Sequence, residues 1–319
     1  MGSLLPQWVK LAAMITVLHV MIALFIDFLF GEPRRWHPLA GFGRLAARLE
    51  VWLYGPGGLS RAARRFRGLL AWGVAVLPFV ALTLYLGTIP YLDHLAAVLL
   101  LYLAIGRKSL AQHARAVARV LRQGDIAEAR RRVAMMISRE TGKMDETAVS
   151  RAAIESVLEN GSDAIFAALF WFLLLGAPGV VLYRLSNTLD AMWGYRTPRY
   201  RDFGWAAARL DDALNWMPAR LTALAYALVG NTRLAWRCWR TQANQWEGEN
   251  PGAVIATGAG ALQLSLGGPA VYHGMRKSRP WLGAGDPPSA AHIEQSVRFV
   301  QRALWLWLGV IMIGGWMIA

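Results

Sequence analysis

Ala164 to Leu185 reads A-I-F-A-A-L-F-W-F-L-L-L-G-A-P-G-V-V-L-Y-R-L. The segment is apolar enough for a bilayer core, yet Gly176, Pro178 and Gly179 fall together at its middle. Such a cluster is a turn signal inside a run of fair helix formers. The reading is a re-entrant hairpin, with one arm at 164–175, a turn at 176–179 and a second arm at 180–192. At 1.5 Å per residue each arm is about 18 Å long, short of the ~30 Å hydrocarbon core. A kinked full span is the alternative. The two differ in their consequence: the hairpin returns the arginine-rich residues after 186 to the side they started from, and the span exports them.

Four further apolar runs flank this one, at 11–30, 69–89, 91–105 and 303–318. About 20 residues are needed to cross, so the first two fit and the other two are short. The chain of 319 residues is 55% hydrophobic, with 15 Trp, which is too apolar for an ordinary soluble domain. The expected fold class is all-α: a polytopic membrane protein with about four full transmembrane helices, a re-entrant helical hairpin and a cytoplasmic helical insert. Lys10 precedes the first run as in a signal peptide. That run ends in Asp27 and G-E-P rather than a small-residue cleavage site, so it reads as a retained helix.

Charge orients the chain. The net charge is +14, and Arg greatly outnumbers Lys. Eight arginines lie between 31 and 67, and eleven Lys or Arg between 106 and 163. The positive-inside rule places both segments in the cytoplasm and the sparsely charged T-I-P-Y-L-D-H (88–94) on the far side. The expectation is an integral membrane protein with its polar, arginine-rich segments facing the cytoplasm. Excess Arg also suits a polyanionic substrate. Nucleic acid is not expected, because the basic residues are scattered and no binding motif is present. Cys238 is the single cysteine, so neither an intrachain disulfide nor a cysteine metal cluster can form.

One integral membrane domain is expected over 1–319, with a helical insert at 107–160 and a cytoplasm-facing active-site region at 186–300. In the insert, Ser109 and Asp125 are candidate N-caps, and Gly124 and Gly142 separate helices. Residues 217–230 and 253–266 read as short apolar helices, and 276–291 as a loop rich in Gly, Pro and Ser. Strand alternation is not evident.

The chemistry concentrates in Asn187–Asn215, N-T-L-D-A-M-W-G-Y-R-T-P-R-Y-R-D-F-G-W-A-A-A-R-L-D-D-A-L-N. Asn187 and Asp190 share a helix face, as do Asp211 and Asn215. Asp190, Asp202, Asp211 and Asp212 are candidate ligands for Mg²⁺, which is usually held by one or two carboxylates plus substrate phosphates. Arg196, Arg201 and Arg209, with Arg199, could cradle those phosphates, and Asn187 and Asn215 complete the polar set. A juxtamembrane belt facing lipid headgroups is the bland alternative, against which the interleaved acids speak. Elsewhere, Glu155 and Glu159 sit one turn apart behind Arg151, with Asn160, Ser162 and Asp163 following. Asp27 ends the first membrane run, where an acid is a functional candidate by default, unless it snorkels or pairs with Arg34. His37 follows, although a lone His is more often structural. Asn250, in N-P-G, opens an apolar helix that could receive a phosphate or carboxylate. Neither GxGxxG nor a Walker-type motif is present, so an ATP site would be unconventional.

These blocks resemble the CbiB/CobD family, the membrane-bound adenosylcobinamide-phosphate synthases of cobalamin biosynthesis. The resemblance is carried by D-x-x-x-G-E-P with H-P (Asp27 to Arg44), S-R-E-T-G-K-M-D-E (Ser138 to Glu146) and V-S-R-A-A-I-E-S-V-x-E-N-x-S-D (Val149 to Asp163). N-T-L-D-A-M-x-G-Y-R and R-Y-x-D-F-G-W-A-A-A-R-L-D-D, ending in N-W-M-P-A-R (Asn187 to Arg220), match best, and G-A-G-A-L-x-L-x-L-G-G-P with Tyr272 (Gly258 to Tyr272) also fits. Where the family usually shows S-P-N-A-G, this chain has Gly248-Glu249-Asn250-Pro251-Gly252. A substrate-contacting loop there would alter the amine preference.

The resemblance implies an ATP- and Mg²⁺-dependent ligation joining a carboxylate of adenosylcobyric acid to (R)-1-aminopropan-2-ol phosphate or a related amino-alcohol phosphate. It implies metal at Asp190, Asp211 and Asp212, phosphate at Arg196, Arg201 and Arg209, and a proton acceptor in Glu155 or Asp163, with Asn160 and His37 as further catalytic candidates. The partners it implies are these two substrates, the lipid bilayer, and a homo-oligomer or a complex with late corrinoid-pathway enzymes. Two other classes are weighed: a non-catalytic AmpE-like membrane protein, and a UbiA-type Mg-dependent transferase, whose repeated N-x-x-x-D-x-x-x-D motif is missing here.

Overall fold

The computed structural model describes residues 6–33, 37–272 and 274–319; Arg34, the candidate partner of Asp27, lies outside them. The described chain runs through α1 (Gln7–Phe30), α2 (Pro38–Leu53), α3 (Arg61–Leu86), α4 (Leu92–Ala104), α5 (Arg107–Arg122), α6 (Ile126–Ala134) and α7 (Glu146–Gly161). A π-helical segment, Ser162–Ala167, leads into α8 (Ala168–Trp193), α9 (Tyr200–Phe203), α10 (Trp205–Val229), α11 (Thr232–Gln242) and α12 (Glu249–Leu262). Four three-residue strands follow, β1 (Ser265–Gly267), β2 (Ala270–Tyr272), β3 (Met275–Lys277) and β4 (Trp281–Gly283), before α13 (Ala290–Ile318). The all-α membrane class holds. Among the described residues, five stretches are long and apolar enough to span, Gln7–Phe30, Arg61–Leu86, Leu92–Arg122, Glu146–Trp193 and Ala290–Ile318, and the fourth contains the break at Gly176. The fifth is longer than its apolar run because polar residues from 290 onward extend the same helix.

The chain divides into two compact units. The first comprises Met1–Gly106, Ala167–Asn215 and Ile318–Ala319. Its core joins Phe42 and Ala46 of α2, Ala71, Ala75 and Val76 of α3, Leu185, Leu189 and Trp193 of α8, and Phe203. Small residues on α3 allow this approach: a Cβ on Gly68 would lie 1.8 Å from the carbonyl oxygen of Phe203. Outward-facing Leu18, Phe25, Leu77 and Leu82 are exposed, as lipid-facing side chains must be.

The reversal expected at 176–179 is present. Gly176 has φ 66° and ψ −149°, non-helical values in the left-handed half of the map that only Gly adopts without strain. A Cβ on Gly179 would lie 2.4 Å from the carbonyl oxygen of Trp171. Eight residues of unbroken helix would separate the two by ~12 Å along the axis, so the chain must turn back. Gly176, Ala177 and Pro178 line a cavity of about 530 Å³ together with Gly87, Thr88, Asp93 and His94. The turn therefore lies at the same end of the unit as the α3–α4 connection. From there α8 returns along α3, and Trp72 Nε1 donates to Ser186 Oγ at 3.1 Å.

The second unit comprises Arg107–Phe166 and Trp216–Met317. Asp125 caps α6, accepting from the Glu128 N–H at 2.9 Å, as expected. Ser109 does not cap, because α5 starts before it at Arg107; Asp145 is the cap of α7, accepting from Ala148 N–H at 2.7 Å. Helix α12 packs on α11 and is buried from Gly252 to Leu262. The strands form two antiparallel pairs, β1 with β4 and β2 with β3. They put short strands into the stretch 276–291 read as a loop, too little sheet to change the all-α class. Three-residue strands are too short to show alternation in a sequence.

Candidate functional site

In the first unit the polar residues of α8 and α10 meet around Asp211, which is buried. Asn187 Nδ2 donates to Asp211 Oδ1 at 3.2 Å, and Asn215 Nδ2 to Asp211 Oδ2 at 3.0 Å. Each amide is oriented in turn, since Arg184 Nη1 donates to Asn187 Oδ1 at 3.2 Å and Tyr183 Oη to Asn215 Oδ1 at 3.0 Å. Burial pushes the Asp211 carboxyl up to about 7, and the charge of Asp190 adds to that rise against the two amide hydrogen bonds. Asp190 reaches this group across Gly194: a Cβ there would fall 1.9 Å from Asp190 Oδ1. The glycine of M-W-G-Y-R thus makes room for the carboxylate.

Asp190 and Asp211 could supply the one or two carboxylates that usually hold Mg²⁺, with the two amide NH2 groups fixing Asp211. Among the described residues no three His, Cys, Asp or Glu converge as a metal group, and the four aspartates of the sequence reading have different surroundings. Asp202 is buried with Arg65 and Arg201, each at 3.6 Å. Asp212 is exposed and 3.8 Å from Arg209, although its charge is felt at Asp211. Arg196, Arg201 and Arg209 are exposed, and the ion pairs of Arg201 and Arg209 go to different acids. Arg199 holds buried Glu50, with Nε 2.7 Å from Oε1, while Tyr200 Oη donates to Oε2 at 3.1 Å. That motif ties α2 to α9. His37 caps α2 through Nδ1, which accepts from Leu39 N–H at 3.2 Å, and its Nε2 is buried with no hydrogen bond among the described residues. Burial lowers its pKa, Glu32 opposes and Arg184 reinforces, so His37 belongs to the surroundings of Arg184.

In the second unit Glu155 is the centre of an arginine cluster. Arg139 Nη2 and Arg279 Nη2 donate to its Oε2 at 2.8 and 2.9 Å, and the Gly267 N–H donates to Oε1 at 2.8 Å. With both oxygens engaged by two guanidiniums and an amide, Glu155 suits an anchor better than a proton acceptor. Asn160 is exposed and folds back on Ser156, donating to its carbonyl at 2.9 Å. Asp163 is half-buried at the start of the π-helical segment, a geometry frequent at functional sites. Asn250 is buried and accepts from Arg220 Nη1, while Arg220 lies 4.7 Å over Trp216. Arg220 therefore connects N-W-M-P-A-R with the altered loop at 248–252.

Sequence reasoning missed Arg184, Tyr183, Arg139 and Arg279. Helical spacing marked the first two, because Arg184 and Asn187 are three apart and Tyr183 is four before Asn187. Arg139 stands in S-R-E-T-G-K beside acids on which it does not act. Arg279 is 124 residues from Glu155, and nothing local announces that pairing.

The family described as CobD/Cbib protein matches residues 20–300. A protein named cobalamin biosynthesis protein CobD from Stutzerimonas stutzeri is 56% identical over 302 residues, covering 95% of this chain and 99% of its own. A namesake from Chromobacterium violaceum is 55% identical, covering 92% and 94%, and one from Mycobacterium tuberculosis is 40% identical, covering 87% and 89%. No solved structure matches.

Proposed function

The chain belongs to the CobD/Cbib protein family of cobalamin biosynthesis, and on that premise we propose that it joins adenosylcobyric acid to an amino-alcohol phosphate at the expense of ATP. One observation supports this most: the buried Asn187–Asp211–Asn215 network with Asp190 beside it, a cation-ready group within a membrane protein. In the reaction the amine nitrogen forms a C–N bond to the carboxylate carbon. One carboxylate oxygen leaves on phosphate, ATP becomes ADP, and the ammonium gives up two of its three protons, the third staying as the amide N–H.

Asp190 and Asp211 would hold Mg²⁺, with Asn187 and Asn215 keeping the carboxylate of Asp211 in place. Bound there, the ion would offset charge on the transferring phosphoryl group. Arg184, whose Nε is buried without a partner among the described residues, keeps a fixed positive charge beside the amides. Because Glu155 is engaged by three donors, Asp163 is the better proton-acceptor candidate within the second unit. The positive-inside bias of the arginine-rich segments supports a site on the cytoplasmic side of the inner membrane.

The test is product formation by detergent-purified protein given Mg-ATP, adenosylcobyric acid and (R)-1-aminopropan-2-ol phosphate, read by mass. Product should require all three and disappear in Asp190→Ala. Absence of product from folded protein with any amino-alcohol phosphate would refute the ligase reading. Product with a different amine alone would trace to the changed 248–252 loop.

A further inference from the structure

Three guanidiniums crowd one carboxylate in the second unit. The side chains of Arg139, Arg279 and Glu155 are 8%, 10% and 6% exposed. Arg151, one turn before Glu155 on α7, lies in the field of Glu155 and Asp145 and of both other arginines. Its Nε is buried with no hydrogen-bond partner among the described residues. Arg279 is stacked 4.2 Å over Trp246 and Arg151 4.5 Å over Trp281. These aromatic faces fix the two planar forks without using their N–H donors.

Charge does not close within this group. Guanidinium does not lose its proton in proteins, so the cluster carries three positive charges against Glu155. Asp145 is exposed and already accepts at the start of α7; even counting it, one positive charge is left over. Buried charges of one sign are costly unless an opposite charge joins them. Glu155 takes one Nη2 from each of two arginines, which leaves donors on all three. Trp281, which carries Arg151 on its face, is 52% exposed, so the cluster has an open side. Gly267 and Gly268 stand at its edge with φ 77° and 76°. A Cβ on Gly268 would press 2.7 Å from the Trp281 ring, so the pair keeps that indole where it supports Arg151.

We propose that Arg139, Arg151 and Arg279 form a binding site for the phosphate group of a phosphorylated small molecule, with Glu155 setting the spacing of the guanidiniums. A phosphomonoester dianion supplies two charges and three acceptor oxygens, which fits the surplus. The site deepens the ligase reading by giving a phosphorylated substrate its anchor, and it rests on that reading only for which phosphate binds. Amino-alcohol phosphate and the terminal phosphate of ATP share the needed chemistry.

Calorimetric titration of the full chain in detergent separates them, with inorganic phosphate, (R)-1-aminopropan-2-ol phosphate, unphosphorylated aminopropanol and ATP as probes. The expected result is saturable binding of inorganic phosphate and of one phosphorylated compound, with none for aminopropanol. Arg151→Gln should weaken that binding at least ~10-fold, the scale of one lost charge-assisted contact, and Arg151→Lys should recover part of it. Arg131→Gln, on the exposed face of α6, should leave it unchanged. Equal binding in wild type and Arg151→Gln, or no saturable phosphate binding in wild type, would overturn the site. Binding is read without turnover, so phosphate binding by a protein that makes no product would refute the ligase reading while upholding the site.

Discussion

The two units each bury a charged group, and the imbalance has opposite sign. Around Asp211 two carboxylates face one guanidinium, that of Arg184 behind the Asn187 amide, and burial pushes the Asp211 carboxyl up to about 7. Around Glu155 a single carboxylate faces three guanidiniums. Burial makes either excess costly. On the proposed reading a ligand of the missing sign offsets each cost, a cation for the first group and an anion for the second. The same residue type, a buried acid, would then be a working group in one unit and a brace in the other.

The largest contrast should appear in activity. Asp211→Asn is nearly isosteric and removes the charge, so product formation should fall by more than the ~10–100-fold that loss of a ligand's hydrogen-bond partner costs. Its thermal midpoint in detergent should hold or rise. Activity within tenfold of wild type would remove Asp211 from the cation group. Glu155→Ala should act the other way, destabilising by about 3–5 kcal/mol because it strands buried guanidiniums. Thermal unfolding followed by circular dichroism measures this, and a loss under ~1 kcal/mol would show the arginines to be balanced by something else.

Next in size is a pH effect. The folded Asp211 carboxyl sits at about 7 against an unfolded value near 3.8, so the folded state binds the extra proton. Its stability contribution is full below pH ~4 and is lost as pH rises through ~7, on the order of a few kcal/mol. Metal-free wild type should therefore lose stability across that window, and Asp211→Asn should flatten the slope. Equal slopes would place the titration elsewhere. The smallest effect is expected for Tyr183→Phe, which frees the Asn215 amide at a cost of about 1 kcal/mol while lowering turnover several-fold. Loss of stability without loss of turnover would make the Tyr183–Asn215 bond purely structural.

Local signals carried much of this molecule. Gly176 and Pro178 marked the reversal because a backbone at φ 66° requires glycine, and Asp125 marked a helix start. Asn187, Asp190, Asp211 and Asn215 were legible because i, i+3 and i, i+4 spacing puts paired residues on one face. Asp202 has the same local appearance as its neighbours, but its partner Arg65 comes from α3. Glu155 carried a plausible spacing too, yet its role depends on Arg279 and Gly267, more than a hundred positions away. Pairings across such distances leave no periodicity to read. The short strands that deliver Arg279 were hidden for the same reason.

The most direct measurement is Mn²⁺ binding, read by electron paramagnetic resonance on detergent-solubilised wild type, Asp211→Asn and Arg151→Gln. Opposite imbalances predict saturable Mn²⁺ binding in wild type and in Arg151→Gln, and its loss in Asp211→Asn. Binding retained in Asp211→Asn, or absent from wild type, would contradict the account.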